Sequence, residues 1–402
     1  MVVLALSSLL GCGTDSPPAV ERVADTLRVH SESSVWDNAS LEEVLRIGEL
    51  EGPLEYVFRD ISMFAVAPSG DVFIAELEGD VRQFGPDGRF IRYVARAGQG
   101  PGEVRYVVAM DVGVDGQLAL VDFGNQRISI YSPEGDFLRQ IRRPAGRPGY
   151  GRDGIQWDRR GGLWIALHPP RAGPDTLGAS LRPTFGRLDS DGEVVDTVFL
   201  PARAWDGCER RRPAYQRGFF EDSRIPYLRF AQWGRSRDGT FVFGCSARYE
   251  VDVVESNGGV VRISRRWKSP VMSDEEHAFW SENWGPVPKE RPAFLRLWVS
   301  EDGRIWVWPG AAGSSRPATP EQRERGFPER LWTYYSATDG FDVFEPGGEW
   351  LGHVRTPEEW GASPYPGLRD PQFIGDTVWA LTTDEYDATY LSKFVVRWGS
   401  VE

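Results

Sequence analysis

Residues 64–76 read FAVAPSGDVFIAE: an apolar run, a short turn that contains glycine, and a second apolar run. The pattern returns at 112–122 (VGVDGQLALVD), 156–167 (QWDRRGGLWIAL), 234–245 (GRSRDGTFVFGC), 298–308 (WVSEDGRIWVW) and, more weakly, 371–382 (PQFIGDTVWALT). Each copy predicts two short antiparallel strands joined by a tight turn, because alternating apolar residues favour strands and glycine favours turns. A unit repeated in this way is typical of propellers and related repeat folds.

A second hairpin follows each of the first five copies. These hairpins lie at 81–94, 128–141, 185–198, 249–263 and 341–354. Each unit is therefore predicted to contain four antiparallel strands, which is the content of one propeller blade. The sequence thus predicts an all-β fold, a six-bladed β-propeller with four-stranded antiparallel blades.

The sixth unit has no fourth strand of its own at the end of the sequence. Its missing strand is found near the N-terminus, because residues 41–55 (LEEVLRIGELEGPLE) match the fourth strand and following loop of the first unit, 89–103 (RFIRYVARAGQGPGE). We expect residues 41–48 to pair with 391–398 and to close the ring, which removes two open sheet edges. Residues 41–402 are predicted to form this single domain.

The N-terminal residues predict export. Residues 1–11 (MVVLALSSLLG) are apolar but too short to span a bilayer, and Leu9-Leu10-Gly11-Cys12 resembles the bacterial lipobox, although no Lys or Arg precedes it. Residues 1–12 are expected to be a lipoprotein signal peptide ending at the lipidated Cys12, with 13–40 as a tether and N-terminal extension. The alternative is an ordinary N-terminus with a chance cysteine. We therefore expect the chain to be an extracytoplasmic, membrane-anchored lipoprotein, on the periplasmic side or at the cell surface.

Composition narrows the classes of partner and cofactor. The net charge of −13 makes a nucleic-acid partner unexpected, because binding to phosphates depends on clustered cations. The four histidines have no metal-ligand spacing; they are His30, His168, His277 and His353. We therefore expect no cofactor, and contact with the membrane only through the lipid anchor.

Two segments resemble a known family. Residues 98–103 (GQGPGE), followed by 121–128 (VDFGNQRI), resemble the signature of NHL-repeat six-bladed propellers, in particular a group of bacterial extracytoplasmic lipoproteins. The likeness is strong over residues 41–142 and is limited to turn positions after that. It implies a fold and a compartment more than an activity, since many members have no assigned activity. It also implies that Asp122 braces the adjacent loop through hydrogen bonds.

Connection lengths single out one face of the predicted propeller. Turns between the first and second strands, and between the third and fourth, lie on one face and are all tight; we call it the turn face. The remaining connections lie on the opposite face, which we call the loop face. It receives every long insertion, at 168–183, 201–227, 268–292, 309–338 and 355–367. Long loops on one side of a rigid scaffold usually carry the binding surface.

These insertions are rich in aromatic residues, which can stack on sugar rings or hold a peptide. The predicted ligand contacts are Trp280, Trp284, Trp332 and Tyr335, with Arg229 and Tyr106 at the starts of innermost strands. The alternative is that the aromatic residues pack the insertions against the propeller and that Arg229 is a structural ion-pair partner. Ser273-Asp274-Glu275-Glu276 is a capping box and predicts a short helix over 273–283.

Cys208 and Cys245 both fall on the loop face. An oxidising compartment permits a disulfide between them, which would staple the insertion that contains Cys208. The sequence leaves two free thiols as the alternative, because it gives no Cα distance.

Two carboxylates are the weak metal candidates. Glu76 and Asp122 end the second strands of the first two units, where related propellers with lactonase-like activity place metal ligands. The equivalent residues in the other units complete no carboxylate cluster; they are Leu167, Cys245, Pro309 and Thr382. The first hypothesis is therefore a binding protein for a small molecule, glycan or protein. The alternative is a divalent-cation-dependent hydrolase or lyase, gluconolactonase-like or amidating-lyase-like, with calcium in the channel.

Overall fold

The structure, a computed structural model, describes residues 19–23, 26–77, 79–144, 147–148, 154–168, 184–199, 208, 229, 231–284, 286–324, 329–332, 338–357, 360, 370–386 and 388–399. The strands up to the middle of the chain are β1 (Ala19–Val23), β2 (Thr26–His30), β3 (Ala39–Ile47), β4 (Ile61–Val66), β5 (Val72–Glu76), β6 (Val81–Phe84), β7 (Phe90–Ala97), β8 (Glu103–Val104), β9 (Val107–Val112), β10 (Leu118–Asp122), β11 (Arg127–Tyr131), β12 (Phe137–Arg142), β13 (Arg147–Pro148), β14 (Ile155–Trp157), β15 (Leu163–His168), β16 (Thr184–Leu188) and β17 (Val194–Phe199).

The later strands are β18 (Ala231–Arg235), β19 (Phe241–Cys245), β20 (Glu250–Val254), β21 (Val260–Ser264), β22 (Phe294–Val299), β23 (Ile305–Pro309), β24 (Ser315–Pro317), β25 (Arg330–Trp332), β26 (Gly340–Phe344), β27 (Trp350–Arg355), β28 (Gln372–Ile374), β29 (Thr377–Thr383) and β30 (Thr389–Trp398). The described helices are α1 (Asp274–Trp284) and α2 (Pro320–Glu324). Neither is long and apolar enough to cross a membrane.

The predicted hairpins are present as antiparallel strand pairs. The first hairpins of the units are β4–β5, β9–β10, β14–β15, β18–β19, β22–β23 and β28–β29. The second hairpins are β6–β7, β11–β12, β16–β17, β20–β21 and β26–β27. The glycine shared by the first five turns, at Gly70, Gly116, Gly161, Gly239 and Gly303, has a φ between 78° and 91°. That left-handed region favours glycine, which is why this column of the repeat marks the fold.

The sheets are not uniformly four-stranded, so the predicted four strands in every unit do not describe all of them. The second unit, β9–β12, is a four-stranded sheet, whereas β8 extends the first unit and β13 the third. β1 and β2 extend the fourth unit, β18–β21, to six strands. β3 joins the fifth unit (β22, β23, β26, β27) to the sixth (β28–β30) in one eight-stranded sheet. β2, β3 and β8 add to outer strands, which offer unpaired backbone groups, whereas β13 pairs with β15 beyond the end of β14.

Residues 26–47, which we call the strap, run along the outer edges of the fourth, fifth and sixth units. β2 pairs in parallel with β21, and the backbone N–H groups of Val35 and Trp36 donate to the carbonyls of Trp350 and Leu351 in β27 at 3.0 and 2.9 Å. β3 then pairs with β27 and β30. Residues 26–40, which lie in the segment expected to be a tether and N-terminal extension, are thus hydrogen-bonded to three units.

The predicted pairing of residues 41–48 with 391–398 is present in the structure. β3 is antiparallel to β30, with Leu41 opposite Val396 and Ile47 opposite Leu391. Because β27 lies on the other side of β3, this strand has a partner along both edges at its N-terminal end.

Clusters of buried apolar side chains lie between consecutive units. Among the described residues they join the first unit to the second, the second to the third, the third to the fourth, the fourth to the fifth and the fifth to the sixth. A further cluster joins the sixth unit to the first, with Trp379 and Leu391 against Ile61 and Phe84. The same junction carries a hydrogen bond of 3.0 Å from Val66 N to Gln372 Oε1. The core is thus divided among the interfaces between units.

We expect the burial of β3 to be a measurable part of the free energy of unfolding. Leu41 is 7% exposed, whereas Val44 on the same strand is 46% exposed. Leu41→Ala should lower the free energy of unfolding by about 2–4 kcal/mol, because it removes buried methyl groups and leaves a cavity. The control Val44→Ala should change it by less than about 0.5 kcal/mol. Urea denaturation measures both, and equal effects would contradict the burial of this strand.

Candidate functional site

At the turn face, an ion-pair cluster joins the ends of the first strands. Arg237, which follows β18, donates to both carboxylate oxygens of Asp111 in β9, at 2.9 and 2.8 Å. Its Nε donates to Glu301, which follows β22, at 3.3 Å, and Trp157 N donates to Asp111 at 2.7 Å. Burial alone would lower the pKa of Arg237, but the charges of Asp111 and Glu301 outweigh it and raise that pKa. Residues from four units therefore meet at this face, where Arg237 is compensated by two carboxylates.

On the loop face, helix α1 is held by a buried ion pair. Glu276 N donates to Ser273 Oγ at 3.1 Å, so the predicted helix and its N-cap are present. The Glu276 carboxylate does not return to Ser273 as in a full capping box. It accepts hydrogen bonds from Arg291 and, at 3.3 Å, from Trp280 Nε1, and Glu276 and Arg291 are both buried. The helix is fixed to the body of the protein through its first turn.

The prediction that Trp280 offers an exposed stacking surface was wrong. Its side chain is only 4% exposed and its ring meets Phe279 edge-on at 5.0 Å. The physical reason is helical spacing: Trp280 lies one turn after Glu276 and therefore on the face that Glu276 directs inward. For this residue the alternative interpretation, packing of the insertion against the protein body, is correct.

The other predicted aromatic contacts have different positions. Trp332 is half-buried in β25 and lies opposite Ser315 of β24 in a two-stranded sheet. The side chain of Trp284 and the whole of Tyr335 lie outside the described residues. Of the two candidates whose side chains the structure describes, Trp332 is half-buried whereas Trp280 is buried.

Arg229 and Tyr106 lie shortly before β18 and β9, the first strands of their units, and both have partners. Arg229 Nη2 lies 3.0 Å from Glu290 Oε2, and Glu290 is the residue before the arginine that holds α1. The ring of Tyr106 meets that of Phe123 edge-on at 6.1 Å. The structure therefore contains the ion pair that the alternative interpretation of Arg229 expects, and this pair is accessible to solvent.

A disulfide joins Cys208 to Cys245, one of the two outcomes that the sequence analysis leaves open. The two Cα atoms are 5.5 Å apart, within the range that a disulfide requires. Because Cys245 is the last residue of β19, the bond fixes the connection between the third and fourth units at the loop face.

Glu76 and Asp122 are bound by protein groups. Asp122 is buried and accepts hydrogen bonds from the backbone of Tyr106 at 3.1 Å and from Asn125 Nδ2 at 2.7 Å. Asn125 Nδ2 also donates to Gly98 O at 2.9 Å, which is the loop bracing that the family resemblance implies. Glu76 accepts from Arg59 N at 2.8 Å and pairs with Arg82. Within the described ranges, no group of three or more His, Cys, Asp or Glu side chains is arranged to hold a metal ion.

The sequence analysis missed a buried network around Asp342. This carboxylate accepts hydrogen bonds from Tyr249 and Arg265, and its Oδ1 lies 2.9 Å from His353 Nδ1. His353 Nε2 lies 3.1 Å from Asp339 Oδ1. Asp342 and His353 are directly opposite in the β26–β27 ladder, so the register of that hairpin was the signal that could have found them.

No protein-family model and no curated protein matches the chain. Among solved structures, a member of the DUF4221 family from Bacteroides vulgatus covers 90% of this chain and 100% of its own, with 10% identity and a TM-score of 0.51. A protein from Bacteroides fragilis described as exported covers 93% and 100%, with 11% identity and a TM-score of 0.47. A gluconolactonase from Xanthomonas campestris covers 90% and 98%, with 13% identity and a TM-score of 0.40. These identities show the fold alone: the chain is mostly β and propeller-like.

The attachment of α1 can be tested at Gly313. A Cβ at this position would overlap Arg291 Nη2 and both carboxylate oxygens of Glu276. Gly313→Ala should therefore lower the melting temperature and make α1 more sensitive to proteolysis, because the buried ion pair must separate. Gly347→Ala is the control, since no atom lies within 4 Å of its Cβ position. Unchanged melting and proteolysis in Gly313→Ala would contradict this docking of the helix.

The Asp342 network should make stability depend on pH. Burial alone would lower the pKa of His353, but Asp342 and Asp339 outweigh it and raise that pKa above its ordinary value of 6.5. The stabilisation is therefore complete below the unfolded-state pKa and is lost as the pH rises through the raised folded-state pKa. Melting curves from about pH 5 to about pH 9 should show the advantage of the wild type over His353→Gln shrinking as pH rises. Parallel curves for the two proteins would show that His353 does not titrate in this way.

Proposed function

We propose that the chain is a six-bladed β-propeller of the NHL-repeat type, exported and held at a membrane by a lipid on Cys12. The apolar clusters between consecutive units, including the one between the sixth unit and the first, support six blades. The β3–β30 pairing supports closure of the ring by the N-terminal strand. Export is supported by the lipobox and by the Cys208–Cys245 disulfide, a bond typical of oxidising compartments.

The function we propose is the binding of a small molecule, glycan or protein at the loop face. The observation that carries this proposal is the contrast between the two faces. At the turn face, Arg237 and Asp111 join the strand ends in a buried, neutralised cluster. The loop face carries α1, the β24–β25 pair and the segment fixed by the disulfide. A rigid scaffold with elaborated loops on one side is the usual form of a binding surface.

Trp332 and Arg229 are the described residues best suited to contact such a ligand. Trp332, which is half-buried, would stack its ring on a sugar or peptide group. Arg229 would bind an anionic or hydroxyl group by exchanging Glu290 for the ligand, since a solvent-accessible ion pair contributes little net free energy. Trp284, Tyr335 and Tyr106 remain proposed contacts on the same face.

We favour a binding function over a catalytic one because of the groups that surround Glu76 and Asp122. A calcium ligand must offer free carboxylate oxygens to the cation. The oxygens of Glu76 are used by Arg82 and a backbone N–H, and those of Asp122 by Asn125 and backbone N–H groups. The positive charge of Arg82 beside Glu76 also disfavours the binding of a cation there. Glu76 and Asp122 are therefore better suited to bracing the loops.

A ligand screen under metal-free conditions tests this proposal. Soluble oligosaccharides and peptides would be titrated in the presence of EDTA, and binding should persist. Trp332→Ala should weaken the binding of a hit by about 1–3 kcal/mol if the ring is a stacking contact. Val114→Ala, at a position 51% exposed on the turn face, is the control and should leave affinity unchanged. Binding or turnover that EDTA abolishes would instead support the cation-dependent enzyme.

A further inference from the structure

The loop face of the first and sixth units carries exposed apolar side chains. Leu50 is 54% exposed, Leu54 79%, Leu77 43% and Tyr386 69%. Leu50 and Leu54 lie between β3 and β4, Leu77 follows β5, and Tyr386 lies in the turn from β29 to β30. All four lie in connections on the loop face, on adjacent units. We call them the leucine patch.

Hydrogen bonds fix the backbone beneath the leucine patch, so its apolar side chains extend from a defined surface. Glu49 N donates to Tyr56 O at 2.8 Å and Tyr56 N donates to Pro53 O at 2.9 Å, which closes the turn that carries both leucines. Arg82 is buried under this turn and donates to Val57 O at 3.1 Å. It also pairs with Glu76, the residue before Leu77. A surface fixed in advance loses little conformational entropy on binding.

Tyr386 is fixed in a similar way. Asp384 accepts a hydrogen bond of 2.9 Å from Tyr386 N and one of 2.7 Å from Tyr390 OH. The ring of Tyr390 lies against Gly48, where the chain leaves β3 toward Leu50. The turn that carries Tyr386 therefore borders the turn that carries the leucines.

Carboxylates surround the leucine patch. Residues 49–55 read ELEGPLE, in which acidic residues alternate with the two leucines. None of Glu49, Glu51, Glu55 and Glu385 forms an ion pair with another residue in the described part of the chain. Of the nearby arginines, Arg46 pairs with Glu43 and Arg82 with Glu76, while Arg59 is exposed. The apolar surface thus lies in a negative field.

We propose that the leucine patch docks a partner protein through a segment that is both basic and apolar. Exposed apolar side chains grouped on adjacent units and bordered by polar residues are typical of protein interfaces, and complementary charge selects the partner. A second copy of the chain does not fit, because a two-fold contact would bring the same carboxylates together. An anionic membrane surface does not fit either, since the carboxylates repel it.

The docking can be tested with a synthetic amphipathic peptide of leucine and lysine as the probe. Fluorescence anisotropy should show binding to the wild type that weakens with salt. A double variant, Leu50→Ser with Leu54→Ser, should lose affinity by about tenfold or more, as should Glu49→Lys with Glu51→Lys. Leu138→Ser is the matched control, because Leu138 is 50% exposed on β12 in the second unit. Circular dichroism of each variant separates loss of docking from loss of fold.

A photo-crosslinking amino acid in place of Leu54, in cells that make the full chain, identifies the natural occupant. The expected result is a protein adduct whose crosslinked peptide contains Lys or Arg beside apolar residues, and no such adduct from position 138. Three results would overturn the proposal: no binding of the peptide to the wild type, equal binding by the leucine variants, or crosslinks to lipid instead of protein.

Discussion

The hydrogen-bonded pairing of β3 with β30 is the constraint on which the other contacts depend. It joins residues near the N-terminus to the last described strand of the chain. Ala39 and Leu41 belong to the cluster between the fifth and sixth units, while Ile47 belongs to the cluster between the sixth unit and the first. One strand therefore completes two interfaces. Without it, β30 and β27 would each present an open edge, and two apolar clusters would lose buried members.

Buried charge has a complementary role, because it fixes how neighbouring elements lie. Arg237 with Asp111 joins the fourth unit to the second, and Arg291 with Glu276 fixes α1. Buried pairs of this kind often add little net stability, yet removing one partner is costly because a charge is left uncompensated. Arrangements that separate these partners are therefore excluded. We infer that apolar clusters provide most of the cohesion and that the ion pairs select one alignment.

The sequence predicted those features that rest on local patterns. Glycine with positive φ marks the turns, the match between two fourth strands predicts the β3–β30 pairing, and Ser273 predicts the N-terminus of α1. The part of the strap over residues 26–36 was not predictable, because its bonds to β21 and β27 use backbone groups that any residue supplies. The sequence left the burial of Trp280 open as one of two interpretations, because it depends on Glu276 being held by Arg291, a contact that no local pattern reveals. The prediction of the candidate site was less specific than that of the fold, because contacts between residues far apart in the sequence leave no local pattern.

The position of β3 also sets the order of events during synthesis. Protein chains are made from the N-terminus, so Leu41 and Ile47 leave the ribosome long before their partners Val396 and Leu391. The entropy cost of closing so long a loop rises only with the logarithm of its length, so the final state tolerates it. The kinetic consequence is larger, because pairings between distant residues form slowly and leave apolar strands exposed meanwhile. β3 therefore lacks this partner strand until β30 has been made.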